Sequence, residues 1–308
     1  MTENWVKYKN GNYFVSLNTS NGTKIRENDL DFFDAEFPES ADVKVTNKCS
    51  NGCTFCHENS TKDGKHSDAL HSPVWDSFHP YSEVALGGGN LMEYPDLVPL
   101  LERLKTLKLI PNITVHQWDF EKNFDLIKKL SDEKLIYGLG VSLDNVTPDF
   151  IDKMKQFPNG VIHVINGIVT GVQLRALAHN NLKILILGYK IVRRGSKLYH
   201  SNVGYAIDRR KDLLYDRLEE ILKDNWFKVV SFDNLAIQQL KPQRLVSKEY
   251  FDMCFMGDDG IDGQQTSASM YIDLVENEFA RNSCDVNHRF KIEDKTVTEM
   301  YQFLKGLK

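Results

Sequence analysis

Val45-Thr46-Asn47-Lys48-Cys49-Ser50-Asn51-Gly52-Cys53-Thr54-Phe55-Cys56-His57 sets three thiols at C-x3-C-x2-C spacing, immediately after an alternating segment that reads as a β-strand over 42–46. Thiolates are the usual ligands of a [4Fe-4S] cube, and a fully closed cluster takes four of them. Cys49, Cys53 and Cys56 would therefore hold three irons and leave one open to chemistry. Asn51-Gly52 is the turn-prone pair that lets the chain wrap around such a cube. A structural zinc site is the alternative, but it wants four ligands in a closed tetrahedron. His57 is the only nearby fourth donor, and adjacency to Cys56 places it poorly for the same ion. Free structural cysteines are a further alternative, which the clustering of the thiols argues against.

Working outward from this loop, short apolar runs alternate with amphipathic stretches, the rhythm of βαβ units around a parallel sheet. Strands are expected near 42–46, 83–86, 112–116, 137–142, 161–165 and 183–187. Helices are expected around 94–107, 120–130, 148–156 and 170–179. Gly87-Gly88-Gly89-Asn90 follows the second strand directly. No Gly-Lys-Ser/Thr lies downstream and no full G-x-G-x-x-G is present, so the nucleotide-loop motifs fail. On the residues alone the glycines make a tight turn or a weak phosphate loop.

With Phe55 in the aromatic position of C-x3-C-x-aromatic-C, the loop resembles the signature of the radical SAM superfamily. That resemblance covers roughly residues 42–190. It implies an α/β fold, a partial (β/α)6 TIM-like barrel, here with an N-terminal β-hairpin and a small α+β C-terminal tail. It also implies one [4Fe-4S] cluster on Cys49, Cys53 and Cys56 whose open iron chelates S-adenosyl-L-methionine. An electron from the reduced cluster would cleave the cofactor to a 5'-deoxyadenosyl radical, which abstracts a substrate hydrogen. Cofactor contacts carry over to Phe55 and to Gly87, Gly88, Gly89 and Asn90, the last standing where the family usually has an acidic residue. Ser142 and Asp144 at the fourth strand match ribose-binding positions, although Asp144 could equally cap the helix opening near Pro148. Asn166 and Gly188, after the fifth and sixth strands, match adenine-contacting positions, or are strand-ending turns.

Substrate groups are sought where strands end. His116, Gln117 and Asp119 close the third strand, and Tyr189 and Lys190 close the sixth, so His116 and Tyr189 are the catalytic candidates there. Arg193, Arg194 and Lys197 continue a basic loop, which is most simply solvated. Cys254 and Cys284 remain. They could donate a hydrogen atom, fill apolar space, or belong to a SPASM- or Twitch-like tail. Such tails use more cysteines than these two, so an auxiliary cluster would need Asp285 or His288 as well, and the inert reading is preferred.

At 308 residues, 41% hydrophobic and 26% charged, the chain can bury a sizeable core. A net charge of −5 implies neither a nucleic-acid nor a membrane partner. The N-terminus lacks a signal-peptide core and no segment reaches membrane-span length, so a cytoplasmic location is expected. Asn21-Gly22 marks a hairpin within an appendage over 1–40, closed by an acidic linker over 27–39. The barrel is expected over 41–240 and a cap or tail over 241–308, the tail opening on a Gly/Asp/Gln-rich loop at 257–265. The polar stretch 58–80 is expected as a solvated loop. A flavodoxin- or ferredoxin-type electron donor and a peptide or protein substrate are implied, with a nucleoside or small metabolite as the competing substrate. A non-catalytic iron–sulfur or zinc sensor is the reading from another class.

Overall fold

The computed structural model describes residues 4–30, 32–255 and 268–307, so the glycine-rich stretch 257–265 lies outside the described residues. β1 (Trp5–Asn10), β2 (Tyr13–Asn18) and β3 (Lys24–Glu27) make an antiparallel sheet, of which β2 and β3 are the hairpin marked by Asn21-Gly22. β4 (Ser40–Thr46), β5 (Glu83–Gly88), β6 (Ile110–His116), β7 (Gly138–Ser142), β8 (Gly160–Ile165), β9 (Lys183–Leu187) and β10 (Val229–Phe232) then lie side by side in chain order, all parallel. On the far side of β4 the sheet continues into β11 (Ser269–Asp273), β12 (Glu278–Ala280) and β13 (Phe290–Lys291). β11 pairs parallel with β4, and β12 and β13 add antiparallel strands. The partial α/β barrel expected from the sequence is therefore present, and residues of the tail are hydrogen-bonded into its sheet.

Alternation along each strand divides the residues between two faces. Val43, Val45, Val84, Leu86, Ile113, Val115, Leu139, Val141, Ile162, Val164, Ile184 and Ile186 are buried in the main core. The opposite, inner face carries Asp42, Lys44, Asn112, Thr114, His116, Ser142 and His163. Gly138 and Gly140 make room on that face, because a Cβ on Gly140 would meet the His163 ring at 2.4 Å and one on Gly138 would meet Asn112 Oδ1 at 2.6 Å.

Several boundaries differ from expectation for local reasons. The helix expected over 120–130 is two helices, Gln117–Lys122 and Phe124–Asp132, meeting at Asn123. Beyond the last expected strand, β10 is followed by the helix Asn234–Leu240, which Asp233 caps by accepting from the amide of Ala236. Asp144 does not cap the helix Pro148–Met154; Thr147 does, its Oγ1 accepting from the Phe150 amide at 3.1 Å. The stretch 58–80 is not a solvated loop. Ala69, Val74, Trp75 and Phe78 are buried, and the Trp75 indole donates to the Ala69 carbonyl at 2.7 Å. Their irregular spacing follows short 3-10 turns at Ala69–His71 and Pro73–Ser77, which carry no helical period.

Glu39, 1% exposed, ties the N-terminal sheet to the barrel. It accepts from Arg26 at 2.8 and 2.9 Å and from the Tyr13 hydroxyl at 2.5 Å, and pairs with Lys24 at 3.2 Å. Lys24 reaches on to Glu83 of β5 at 2.8 Å. Burial opposes ionisation of Glu39, but the Arg26 and Lys24 contacts outweigh it and leave the pKa lowered. A lowered folded-state pKa contributes stability at neutral pH that is lost as pH falls through it. Glu39→Gln should therefore cost about 3 kcal/mol in urea unfolding at pH 7, since breaking a buried pair strands its partners. The gap from wild type should narrow as pH drops below the usual glutamate value; a gap independent of pH would contradict this account.

Candidate functional site

The cysteine loop leaves the carboxyl end of β4 and is held from beneath by the folded stretch that follows it. Amide–carbonyl bonds join Asn47 N to Lys65 O and Cys49 N to Thr61 O, each at 2.8 Å, and Thr61 N to Asn47 O at 3.1 Å. Gly64 is required there, since a Cβ would fall 2.0 Å from the Asn47 carbonyl oxygen. Within the loop, Gly52 adopts φ +66° and the Cys56 amide donates to the Cys53 carbonyl at 3.3 Å. All three cysteines are partly exposed and free of disulfides. Burial pushes the Cys53 thiol up to about 11, and the neighbouring Cys56 and Cys49 add to the effect.

Beside this loop, the glycine turn after β5 lies directly on its backbone. Gly89 N donates to Thr46 O at 2.7 Å and Asn90 N to Lys48 O at 2.8 Å. A Cβ would strike Thr46 O at 2.4 Å from Gly88, whose φ is +107°, and Lys48 O at 2.1 Å from Gly89. Nothing lies within 4 Å of a Cβ built on Gly87. The glycines thus divide by role: Gly88 and Gly89 admit the loop, and Gly87 faces open space.

Asn90 is almost fully buried, with its side chain engaged inside the protein. Its Oδ1 accepts from the Met92 amide at 3.0 Å, and its Nδ2 donates to Glu93 at 3.0 Å and Asp119 at 2.8 Å. Asp119 takes a second bond from Asn51 Nδ2 at 2.6 Å, and Glu93 accepts from the Ser50 amide at 3.1 Å. Asp119 is thereby the bridge between the cysteine loop and the glycine turn.

The other strand ends contribute less uniformly. Ser142 is half-buried on the inner face, and Asp144 is exposed with Oδ2 accepting from the Trp118 indole at 2.9 Å. Asn166 is fully buried; its Nδ2 donates to Gln239 at 2.9 Å, while its Oδ1 has no partner among the described residues. Gly188 is set by packing, since a Cβ would meet Leu235 at 2.5 Å. Phe55 is half-buried at the loop's end. His116 caps the helix that follows it, its Nδ1 accepting from the Trp118 amide at 3.3 Å. Tyr189 is buried and its hydroxyl donates to the Gly195 carbonyl at 2.8 Å. Arg193 and Arg194 are not in a solvated loop. They begin the helix Arg193–Tyr199, and their guanidinium groups donate to the carbonyls of His57 and Ser60.

Cys254 sits exposed on the helix Lys248–Phe255, whereas Cys284 is half-buried near Lys190. Asp285 and His288 pair with each other at 2.9 Å. Among the described residues, no three His, Cys, Asp or Glu side chains converge as ligands of one metal ion.

A group that the sequence did not single out closes the site on the other side of β4. Lys44, buried, pairs with Glu58 at 3.3 Å and with Asp273 of β11 at 3.1 Å. The Tyr271 hydroxyl donates to Glu58 Oε2 at 3.1 Å. His57 Nε2 lies beside Glu58 and Lys190, at 3.4 and 3.3 Å. Burial, then the Lys190 and Arg193 charges, hold its pKa well below the ordinary histidine value. Charged residues at alternate positions, Asp42 and Lys44, inside an otherwise apolar strand are the signal that could have revealed this face.

No protein-family model matches the chain, and no curated protein matches its sequence. Solved structures do match. Streptococcus suis SuiB bound to the precursor peptide SuiA superposes with a TM-score of 0.63 at 14% identity, covering 100% of this chain and 90% of that one. The chain is similar in fold to SuiB. SuiB bound to S-adenosylmethionine gives the same TM-score, identity and coverage, and a further crystal structure of SuiB gives 0.61. At this identity the likeness is one of fold, and it spans nearly the whole of both chains. No helix of the described residues is long and apolar enough to cross a membrane.

Asp119→Ala strands the Asn51 amide and one bond of Asn90, and should cost about 2 kcal/mol in urea unfolding, the range for orphaned buried polar groups. Limited proteolysis should cut within 47–57 earlier than in wild type. Unchanged stability together with an unchanged cleavage pattern would remove the bridge from the account.

Proposed function

We propose that this chain is a radical SAM enzyme that acts on a peptide. The observation carrying the proposal is the trio Cys49, Cys53 and Cys56, held on a braced loop at the carboxyl end of β4 beside the open face of Gly87. Carboxyl ends of parallel strands are where such folds bind their ligands. SuiB, similar in fold over its length, has been crystallised with S-adenosylmethionine and with a precursor peptide.

The donor set suits a cluster better than a single ion. A structural zinc site closes with four ligands, one more than the three cysteines of this loop supply, whereas a cubane takes each thiolate on a separate iron. Loaded with a [4Fe-4S] cluster and S-adenosylmethionine, the site would supply an electron for sulfonium cleavage and hence a 5'-deoxyadenosyl radical. The chain's own residues do the holding. Cys49, Cys53 and Cys56 would ligate iron, while Asp119 and Asn90 fix the loop against the glycine turn. Gly87 leaves its backbone accessible to the methionyl end of the cofactor. The unpartnered Asn166 Oδ1 is an acceptor suited to the adenine amine or a ribose hydroxyl. Ser142 and Asp144 stand at the ribose side. Reduction comes from an external flavodoxin- or ferredoxin-type donor.

Anaerobic reconstitution followed by electron paramagnetic resonance of the reduced protein tests this reading. Iron should bind, the spectrum should change on adding S-adenosylmethionine, and deoxyadenosine should form. Candidate peptides should raise its release above the uncoupled background, which nucleosides and small metabolites should leave unchanged. Cys53→Ala should bring deoxyadenosine to the level of buffer. A spectrum indifferent to the cofactor, or deoxyadenosine formed by the Cys53→Ala variant, would falsify the assignment.

A further inference from the structure

The inner face beside β4 contains more fixed positive charge than its contacts neutralise. Lys44, Lys190, Arg193 and Arg289 meet there, and the carboxylates in direct contact with them are those of Glu58 and Asp273. Lys44 and Arg193 share Glu58, and Lys44 also holds Asp273. Lys190 has no carboxylate at ion-pair distance among the described residues; its ammonium lies 3.3 Å from His57 Nε2 and 3.2 Å from Ser283 Oγ.

Arg289 belongs to the same group through Ser283. One of its terminal nitrogens donates to the Ser283 carbonyl at 2.8 Å, and its guanidinium lies 4.3 Å from the centre of the Tyr271 ring. Its Nε and other terminal nitrogen are shielded from solvent and have no acceptor among the described residues. A guanidinium stays charged at any pH of interest, so these donors cannot be silenced by losing a proton. Buried donors of a charged group are ordinarily satisfied.

Asp42 and Asp233 act on Lys190 through space, and burial, the largest influence, raises both of their pKa values. Asp233 is moreover occupied by the amides of Gly188 and Ala236. Asp42 keeps solvent access on the inner face.

We propose that Lys190 and Arg289, with Ser283 between them, form a subsite for a carboxylate of the substrate, so that the peptide modified by this protein carries an acidic residue at or next to the reacting position. The proposal rests on the peptide-modifying reading for its substrate class. Carboxylates are the anionic groups of an unmodified peptide, and the combination of an ammonium with directional guanidinium donors matches one. The subsite lies past His57, the residue following the last thiol, which brings such a group close to the cysteine loop. The cofactor's own carboxylate is the other source of the same chemistry.

Isothermal titration of the full chain with the capped tripeptide acetyl-Gly-Glu-Gly-amide and its glutamine counterpart tests the subsite. The titration is run before and after iron reconstitution, with and without saturating S-adenosylmethionine. The glutamate peptide should bind at least about tenfold more tightly than the glutamine one, the effect expected of a desolvated charge pair. Saturating cofactor should leave that preference in place. Arg289→Met and Lys190→Met should each bring the two peptides within about twofold of one another. Equal affinity for both peptides, or absence of binding, would overturn the subsite, and this comparison needs no variant to fold. Loss of the preference when S-adenosylmethionine is present would overturn it too, by assigning the cations to the cofactor. Because the titration also runs on protein without iron, it can fail while deoxyadenosine formation succeeds, or succeed while that fails.

Discussion

The close approach of two backbones, residues 88–90 on residues 46–48, is the constraint around which the site is organised. Two amide–carbonyl bonds at 2.7 and 2.8 Å join the segments, and a single Cβ at Gly88 or Gly89 would occupy the space of a carbonyl oxygen. Side chains therefore cannot separate the turn from the loop. The register of β4 against β5 shifts between Lys44 and Thr46, just before the loop departs. From that junction the cysteine loop has one direction to leave in, and residues 58–67 return beneath it to close the bonds at 47 and 49. Asp119 then fixes the far side. A loop with three ionisable thiols and little apolar content of its own is ordered by what it leans on.

The inner face of the barrel illustrates what partial closure permits. A fully wound parallel barrel fills its interior with branched apolar side chains. Here Asp42, Lys44, Asn112, Thr114 and His163 occupy that side, with glycines at 138 and 140. Burial, helped by the Lys190 charge, drives His163 down to about 4, so at neutral pH it is an uncharged imidazole. Keeping Lys44 charged out of water is costly unless it is well paired. Glu58 and Asp273 meet that need, and they come from the loop exit and from β11. The ion pairs therefore specify where the C-terminal strand sits on β4 in addition to any stability they contribute.

Much of the fold could be read from the chain because alternating valines and isoleucines mark the core face of each strand, and the thiol spacing marks the loop. What could not be read depends on contacts distant in sequence. The approach of the 46–48 backbone to Gly88 and Gly89 is one such contact, which no local pattern marks. Tyr189 ends a strand, yet Gly195 draws its hydroxyl inward. Trp75 and its neighbours have no regular period, so a buried segment resembles a polar loop. Arg193 and Arg194 look like a solvated charge run because the carbonyls they cap are more than 130 positions earlier.

Sequence distance also explains why residues 268–307 matter to the site. β11 extends the sheet at the edge next to the cysteine-bearing strand, and Tyr271 and Asp273 reach the inner face by the same alternation that places Lys44 there. Register pairs Tyr271 with Asp42 and Asp273 with Lys44. A one-residue slip would turn Tyr271 and Asp273 to the apolar face and bring Met270 and Ile272 onto the charged one. The hydrophobic pattern of β11 and the ionic pattern of β4 therefore demand the same register. That agreement places Ser283 and Arg289, only a hairpin farther along the chain, against Lys190 from β9's end. The cation-rich wall is thus assembled from opposite ends of the sheet, brought together by the curvature of a barrel that stops short of closing.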